Sequence, residues 1–317
     1  TALLVCAPCL AAAPVTCLAF SPDGSLLASA AGGEVTLEPV TAPGKRMTLA
    51  MGGDRALALA FQPAGSLLAV ATGIPGERGG VRLYDLGQRQ WLGSISVNSD
   101  TVNSVAFSPE GALLAAAGSD HRVFVYRVDA ENLSPAFALA GHTAAVRRVA
   151  FSPDGASLVT VSVDRSVKVW SAADGRLLRS LGQHTDAVHA LSFRPPLVER
   201  AAAPPYCATG GDERSVRVWQ PAIGRMVRIV RGHSGAVLAL TYTPDGAALF
   251  SAGEEGVVRW IDPDSDEING QWTVSADWVY ALAVSPDGKT LATGDWAGRV
   301  RRWSIGDRML SELSPVE

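Results

Sequence analysis

An all-β fold, a seven-bladed β-propeller of four-stranded antiparallel blades, is predicted for these 317 residues by three regularities. A tight turn recurs six times after an apolar run: Ser21-Pro22-Asp23-Gly24, Gln62-Pro63-Ala64-Gly65, Ser108-Pro109-Glu110-Gly111, Ser152-Pro153-Asp154-Gly155, Thr243-Pro244-Asp245-Gly246 and Ser285-Pro286-Asp287-Gly288. The last residue of the run (Phe20, Phe61, Phe107, Phe151, Phe193, Tyr242, Val284) advances in steps of 41, 46, 44, 42, 49 and 42. A later run of the form VxVW closes most units. A period in the low forties is that of a propeller blade.

Each element follows in order. The apolar runs VTCLAF, ALALAF, VNSVAF, VRRVAF, VLALTY and VYALAV enter the turns, and SLLASA, SLLAVA, ALLAAA, ASLVTV, AALFSA and KTLATG leave them, so a unit opens on a hairpin of strands a and b. Proline presets φ in the turn, and glycine supplies the positive φ that reverses the chain. Strand c is the VxVW run: Val81 to Tyr84, Val123 to Tyr126, Val167 to Trp170, Val216 to Trp219, Val257 to Trp260 and Val300 to Trp303. Strand d is a shorter apolar stretch, as in RLLRSL (176 to 181) and RMVRIV (225 to 230). The remaining unit is interrupted: VHALSF (188 to 193) runs into Arg194-Pro195-Pro196 and LVERAAAPPY before its second strand resumes at Cys207 to Gly210. Four short strands cannot bury two apolar faces alone, so each unit needs neighbours on both sides. Radial closure leaves only the outer strands as free edges.

The fourth unit, GHTAAVRRVAFSPDGASLVTVSVDRSVKVW (141 to 170), carries Gly-His, SPDG, Asp and a terminal Trp in that order. With its sister units it resembles the WD40-repeat family, over about residues 15 to 313. The resemblance implies a hydrogen-bonded chain of His142, Thr160, Asp164 and Trp170, which satisfies buried polar groups and stiffens a blade without performing chemistry. It also implies a single propeller over 15–313, with 1–14 as a closing strand or a leader or linker remnant, and 314–317 as a tail. Other units depart from the pattern. Gln183 replaces the glycine before His184, and the turn Asp is expected to become Glu213 in unit five and Glu254 in unit six. Ala11, Gly52, Asn98 and Ser275 stand at the histidine position of units one, two, three and seven, and Glu38 takes the Trp position of unit one. Units four and five are therefore expected to be the stiffest sector and unit one the weakest.

Composition narrows the function. The formal charge is -4, from 27 basic and 31 acidic residues with no long run of one sign, so nothing favours a nucleic-acid partner. The longest apolar stretch, Ala2 to Ala13, is 12 residues and broken by Pro8, short of the roughly 20 a bilayer demands. No membrane span is expected. Arginine outnumbers lysine 24 to 3, a usage that fits a GC-rich bacterial genome. The N-terminal TALLVCAPCLAAAPV has two readings: a strand that closes the ring, with a cytoplasmic protein, or a leader remnant over 1–13 ending in Ala11-Ala12-Ala13, with export. Arg308 to Leu313 already resembles the outer strand of unit seven, which leaves the N-terminus surplus.

Catalytic and cofactor chemistry finds no footing, and neither an enzyme, a metal nor a cofactor is expected. Cys6, Cys9, Cys17 and Cys207 make no disulfide framework, and Cys6-Ala7-Pro8-Cys9 lacks the strand-then-helix context that lowers a thiol pKa. His142, His184 and His233 fill the repeated structural position, leaving His121 in a turn and His189 in a strand, each exposed or packed. The glycine-rich GIPGERGG (73 to 80) leads straight into a strand, so it offers no phosphate cradle and is expected as a lengthened b–c recognition loop.

Binding is expected on the rim that carries the d–a and b–c loops. Trp278 and Trp296 stand there in unit seven, flanked by Asp277 and Asp295, and large aromatics beside acids are hot-spot composition. The competing reading packs both tryptophans against neighbouring blades. Glu254 and Glu255 of unit six, with Glu77 and Arg78 of unit two, extend the candidate patch. Arg259 and Arg302 are expected at matching strand-c sites, pairing with such carboxylates. The proline-rich insertion of unit five, at 195, 196, 204 and 205, lies on the opposite rim. The function expected is a non-enzymatic protein-interaction platform, a monomeric propeller or a module of a larger polypeptide, with protein partners of unknown identity. The alternatives are a small ligand or a reaction at the channel mouth, and a plain structural spacer.

Overall fold

Seven antiparallel sheets of four strands each stand around one axis in the computed structural model, which describes residues 13–42, 44–129, 132–196, 204–306 and 309–313. Every sheet runs a-b-c-d in chain order, as the repeats require. The a strands are Val15–Phe20, Arg55–Phe61, Val102–Phe107, Val146–Phe151, Val188–Phe193, Val237–Tyr242 and Val279–Val284, and each packs against the a strands of its two neighbours to wall a central channel. The a–b turns form for the reason the residues suggest. In blade one Ser21 Oγ donates to Asp23 Oδ1 at 2.6 Å, the Gly24 amide reaches Ser21 O at 2.9 Å, and Gly24 takes φ 73°.

Each a strand carries a bulge, at its second residue in six blades and at Leu57, the third, in blade two, and that residue drops out of the ladder with strand b. Bulges bend the strand and re-aim one side chain, so a ring of seven residues is set apart from the pairing. Apolar cores fill the spaces between adjacent sheets. Between blades three and four, for example, Val125, Leu139, Val149, Phe151, Leu158 and Trp170 are packed together. The closing seam is thinner: Val15, Leu18 and Leu27 of blade one meet Ala281, Ala283 and Ala292 of blade seven. Arg302 Nη1 also crosses that seam to Val40 O at 2.9 Å, so this arginine binds a carbonyl and not the carboxylate expected of it.

Strand d of blade seven is Met309–Glu312, in agreement with the reading of the C-terminal segment. The alternatives for the N-terminus, the Cys6-Cys9 motif, most of the unit-five insertion and the 314–317 tail lie outside the described residues.

Two expectations are corrected. In blade six Leu249 pairs with Ile261, as Leu158 pairs with Trp170 in blade four. Ile261 is therefore the buried counterpart of the terminal Trp, and Trp260 lies one residue earlier, half-buried against Phe250 and Trp272. A slip of one residue swaps the two faces of a strand, so anchoring the alignment on the tryptophan misplaced the whole turn. The second correction concerns GIPGERGG, most of which is paired strand: Leu67–Ile74 and Arg78–Asp85 pair without interruption to Ile74↔Arg78, so the b–c turn itself is only residues 75–77. A Cβ at Gly79 would collide with the Asp100 carbonyl oxygen, so the glycine permits close packing of the ribbon and does not form a cradle.

Candidate interaction rim and channel

The hydrogen-bonded chain of blade four is complete. Trp170 Nε1 donates to Thr160 Oγ1 at 2.9 Å, Thr160 lies 2.7 Å from His142 Nε2, and His142 Nδ1 lies 2.8 Å from Asp164 Oδ2. One assignment of protons satisfies all three: Nδ1–H donates to Asp164 and the threonine hydroxyl donates to Nε2, leaving the imidazole neutral. Burial pushes the His142 pKa down, against the pull of Asp164, which agrees with that tautomer. Burial opposes the Asp164 charge, yet hydrogen bonds from Ser166, Thr143 and His142 bring its pKa down to about 2.

Blade five repeats the chain with Thr209, Trp219 and His184, whose Nδ1 lies 2.9 Å from Glu213 in an oblique contact. Despite burial, hydrogen bonds from His184, Arg217 and the Thr185 amide hold Glu213 far below the usual carboxylate range. In blade six His233 bonds Ser251 at 2.9 Å and Glu255 at 3.1 Å, and Arg259 closes on Glu255 at 2.6 Å. Glu255, not Glu254, is thus the turn acid, and it is committed to the blade and not to the rim. Arg259 does pair with a carboxylate, as expected, but from the site that Arg217 occupies in blade five. In blade seven Ser275 takes the histidine position and donates to Asp295 at 2.8 Å, while Trp303 donates to Thr293 at 3.0 Å. Asp295 is 2% exposed and also held by Arg299 Nε at 2.8 Å. It is a structural acid that the sequence placed wrongly on the rim.

The tryptophans beside it are a different matter. Trp278 is 43% and Trp296 50% exposed, so neither is a core residue. The Trp296 amide donates to Trp278 O at 2.9 Å, which locks the d–a and b–c loops of blade seven together. The two rings sit 6.1 Å apart, and Tyr280 joins them at 6.0 Å from Trp278 and 5.6 Å from Trp296. Sequence reading missed Tyr280; its place at the bulged second position of strand a was the available signal. Burial raises the Tyr280 pKa, and the charges of Glu254 and Asp277 raise it further, which places both carboxylates beside the cluster. Glu254 also accepts the Ala236 amide at 3.0 Å, and Asp277 caps the Trp278 amide at 2.9 Å.

Glu77 and Arg78 are exposed at the tip of the blade-two ribbon, where Arg78 pairs with Asp54 at 2.9 Å. Blade one separates them from the aromatic cluster. His121 is exposed in a turn with φ 70°, whereas His189 is half-buried, 2.8 Å from Asp212. Burial lowers its pKa, against Asp212. Among the described residues no three His, Cys, Asp or Glu side chains gather as a metal site, and no helix is long and apolar enough to cross a membrane.

Radial four-stranded blades, tied internally by His, Ser/Thr and Trp side chains and leaving loops to carry specificity, define a repeat β-propeller. The family profile described as WD domain, G-beta repeat matches residues 7–37, 89–127, 133–171, 175–220, 224–262 and 268–304, well over half of the chain. The chain belongs to the WD40 family. Among solved structures, a chain of the crystal structure of the Mitotic Checkpoint Complex superposes with a TM-score of 0.81 at 20% identity, over 92% of this chain and 87% of that one. At that identity the likeness speaks for the fold alone. No protein of curated function matches in sequence.

Proposed function

We propose that this protein is a non-enzymatic interaction platform that captures a protein partner on the blade-seven rim. The observation that carries the reading is the half-exposed cluster of Trp278, Trp296 and Tyr280 beside Asp277 and Glu254. A rigid sheet holds these rings, so little conformational entropy is lost when a partner covers them. Aromatic faces and carboxylates together recognise a cation, and a guanidinium or ammonium set over such rings gains about 0.5–2 kcal/mol from each favourable contact. The partner is therefore a segment presenting an arginine or lysine side chain. Support for the non-enzymatic part comes from the histidines: His142 and His233 are hydrogen-bonded on both ring nitrogens within their blades, and His184 is buried, bonded to Thr209 and in contact with Glu213.

The test is affinity capture from the native host with the intact propeller, the Trp278→Ala/Trp296→Ala variant and the Asp277→Asn/Glu254→Gln variant in parallel. Proteins held by the first should be lost by the second and weakened by the third, more so at low salt. About half of each tryptophan is covered, so the aromatic variant is expected to lose roughly 1–3 kcal/mol of stability. The charge variant should keep its Tm, which separates loss of binding from loss of fold. Retention of the same proteins by all three forms would sink the proposal.

A further inference from the structure

We propose that the central channel holds a site for a small free oxyanion of the phosphate or sulfate class, gripped by Arg148 with Arg147 beside it. The site is separate from the blade-seven rim and stands whether or not that reading does.

The residue after the bulge of each a strand lines the channel, and around the ring it reads Cys17, Ala58, Ser104, Arg148, Ala190, Ala239 and Ala281. Six small side chains leave a lumen of about 190 Å³ walled by all seven blades, and the seventh places a guanidinium in it. A cavity needs about 10–15 Å³ to admit one water, so a tetrahedral oxyanion fits with room for solvent. Arg148 Nη1 donates to Asn103 O and Arg147 O, both at 3.3 Å. Its Nε and Nη2 make no hydrogen bond to the described residues. Those two nitrogens form the edge of the fork that receives carboxylates and phosphates through two parallel bonds.

Nothing among the described residues neutralises this charge. No carboxylate pairs with Arg148 or Arg147, and Arg147 Nε is buried with no partner. Asp212, which shares the surroundings of His189 with both arginines, is engaged with that histidine at 2.8 Å. Cys17 of blade one faces Arg148 from across the ring, yet burial pushes its thiol pKa up, and its Sγ contacts the Leu59 and Leu18 carbonyls. It does not serve as a thiolate counter-ion. A guanidinium partly withdrawn from water with no anion beside it is poorly compensated. An oxyanion on the free edge supplies the missing counter-charge.

Inorganic phosphate is the probe. Its ³¹P line width and the protein Tm are followed against chloride at constant ionic strength, with Arg148→Met and Arg148→Lys in parallel. The expected result is a phosphate line broadened by the protein and a Tm that rises by a few degrees at a hundred-fold excess over Kd. Arg148→Met should abolish both responses and match or exceed the wild-type Tm in chloride. Arg148→Lys, which keeps the charge and loses the fork, should bind at least ten-fold more weakly. Phosphate acting no differently from chloride, or a full response surviving in either variant, overturns the proposal; if the methionine variant does not fold, the lysine variant decides alone.

Discussion

Thr160→Val removes one hydroxyl and almost no volume, which makes it a clean measure of what the blade-four chain contributes. Oγ1 accepts from Trp170 Nε1 at 2.9 Å and sits 2.7 Å from His142 Nε2, and all three side chains are buried. Valine leaves an indole N–H and an imidazole nitrogen unpaired. Each orphaned buried group costs about 1–3 kcal/mol, so with partial relaxation the variant should lose roughly 2–4 kcal/mol. An unfolding entropy of about 2.1 cal/mol/K per residue, spread over a single cooperative unit of this length, converts that to a Tm lower by about 3–6 °C. Urea unfolding should show a lower midpoint at unchanged slope. The chain supplies its own controls: Thr209, Ser251 and Thr293 repeat the hydroxyl in blades five to seven, while Val70 and Ala116 fill the site in blades two and three, where Tyr84 and Tyr126 replace Trp. A loss below about 0.5 kcal/mol would refute the reasoning, because two unsatisfied buried groups cannot be that cheap.

Acid should destabilise the protein in two stages. His233 is held to about 4 by burial and by Arg259, so below an ordinary imidazole pKa of roughly 6.5 the unfolded chain takes up a proton that the folded chain refuses. Stability is then full above about pH 6.5 and declines toward pH 4, by on the order of 3 kcal/mol for this residue, and Asp164 and Glu255, both at about 2, extend the loss below pH 4. Urea titrations from pH 7 to 3 check this; a flat profile between 6.5 and 4 contradicts it. Gly79→Ala forces a Cβ onto the Asp100 carbonyl oxygen and should cost more than about 2 kcal/mol, whereas Gly76→Ala, at φ 71° with open space around it, should cost only about 1 kcal/mol. Hydrogen exchange should find the slowest amides in blades four and five and the fastest at the alanine-lined seam of blades one and seven, which lacks a buried aromatic.

Much of this was readable from residues alone. Turn chemistry and strand alternation are local, so the hairpins at Ser21, Ser152 and Ser285, the seven units and the blade-four chain could be drawn without coordinates. The exposed tryptophans of blade seven were legible because they stand at the two loop positions that Ala145 and Val163 hold in unit four. What failed was whatever depended on pairing partners. Trp260 mimics the terminal tryptophan, and only its neighbour Ile261 opposite Leu249 reveals the shift that makes Glu255 the turn acid. Asp295 reads as a rim carboxylate until Ser275 and Arg299, 20 residues before and 4 after, are seen closing over it. Tyr280 and Arg148 are ordinary members of inner strands in the sequence. Pairing of strands a and b sets Tyr280 between Trp278 and Trp296 within blade seven, whereas ring closure brings seven inner strands to one axis and sets Arg148 of blade four opposite Cys17 of blade one, a cation in a channel that no single repeat reveals.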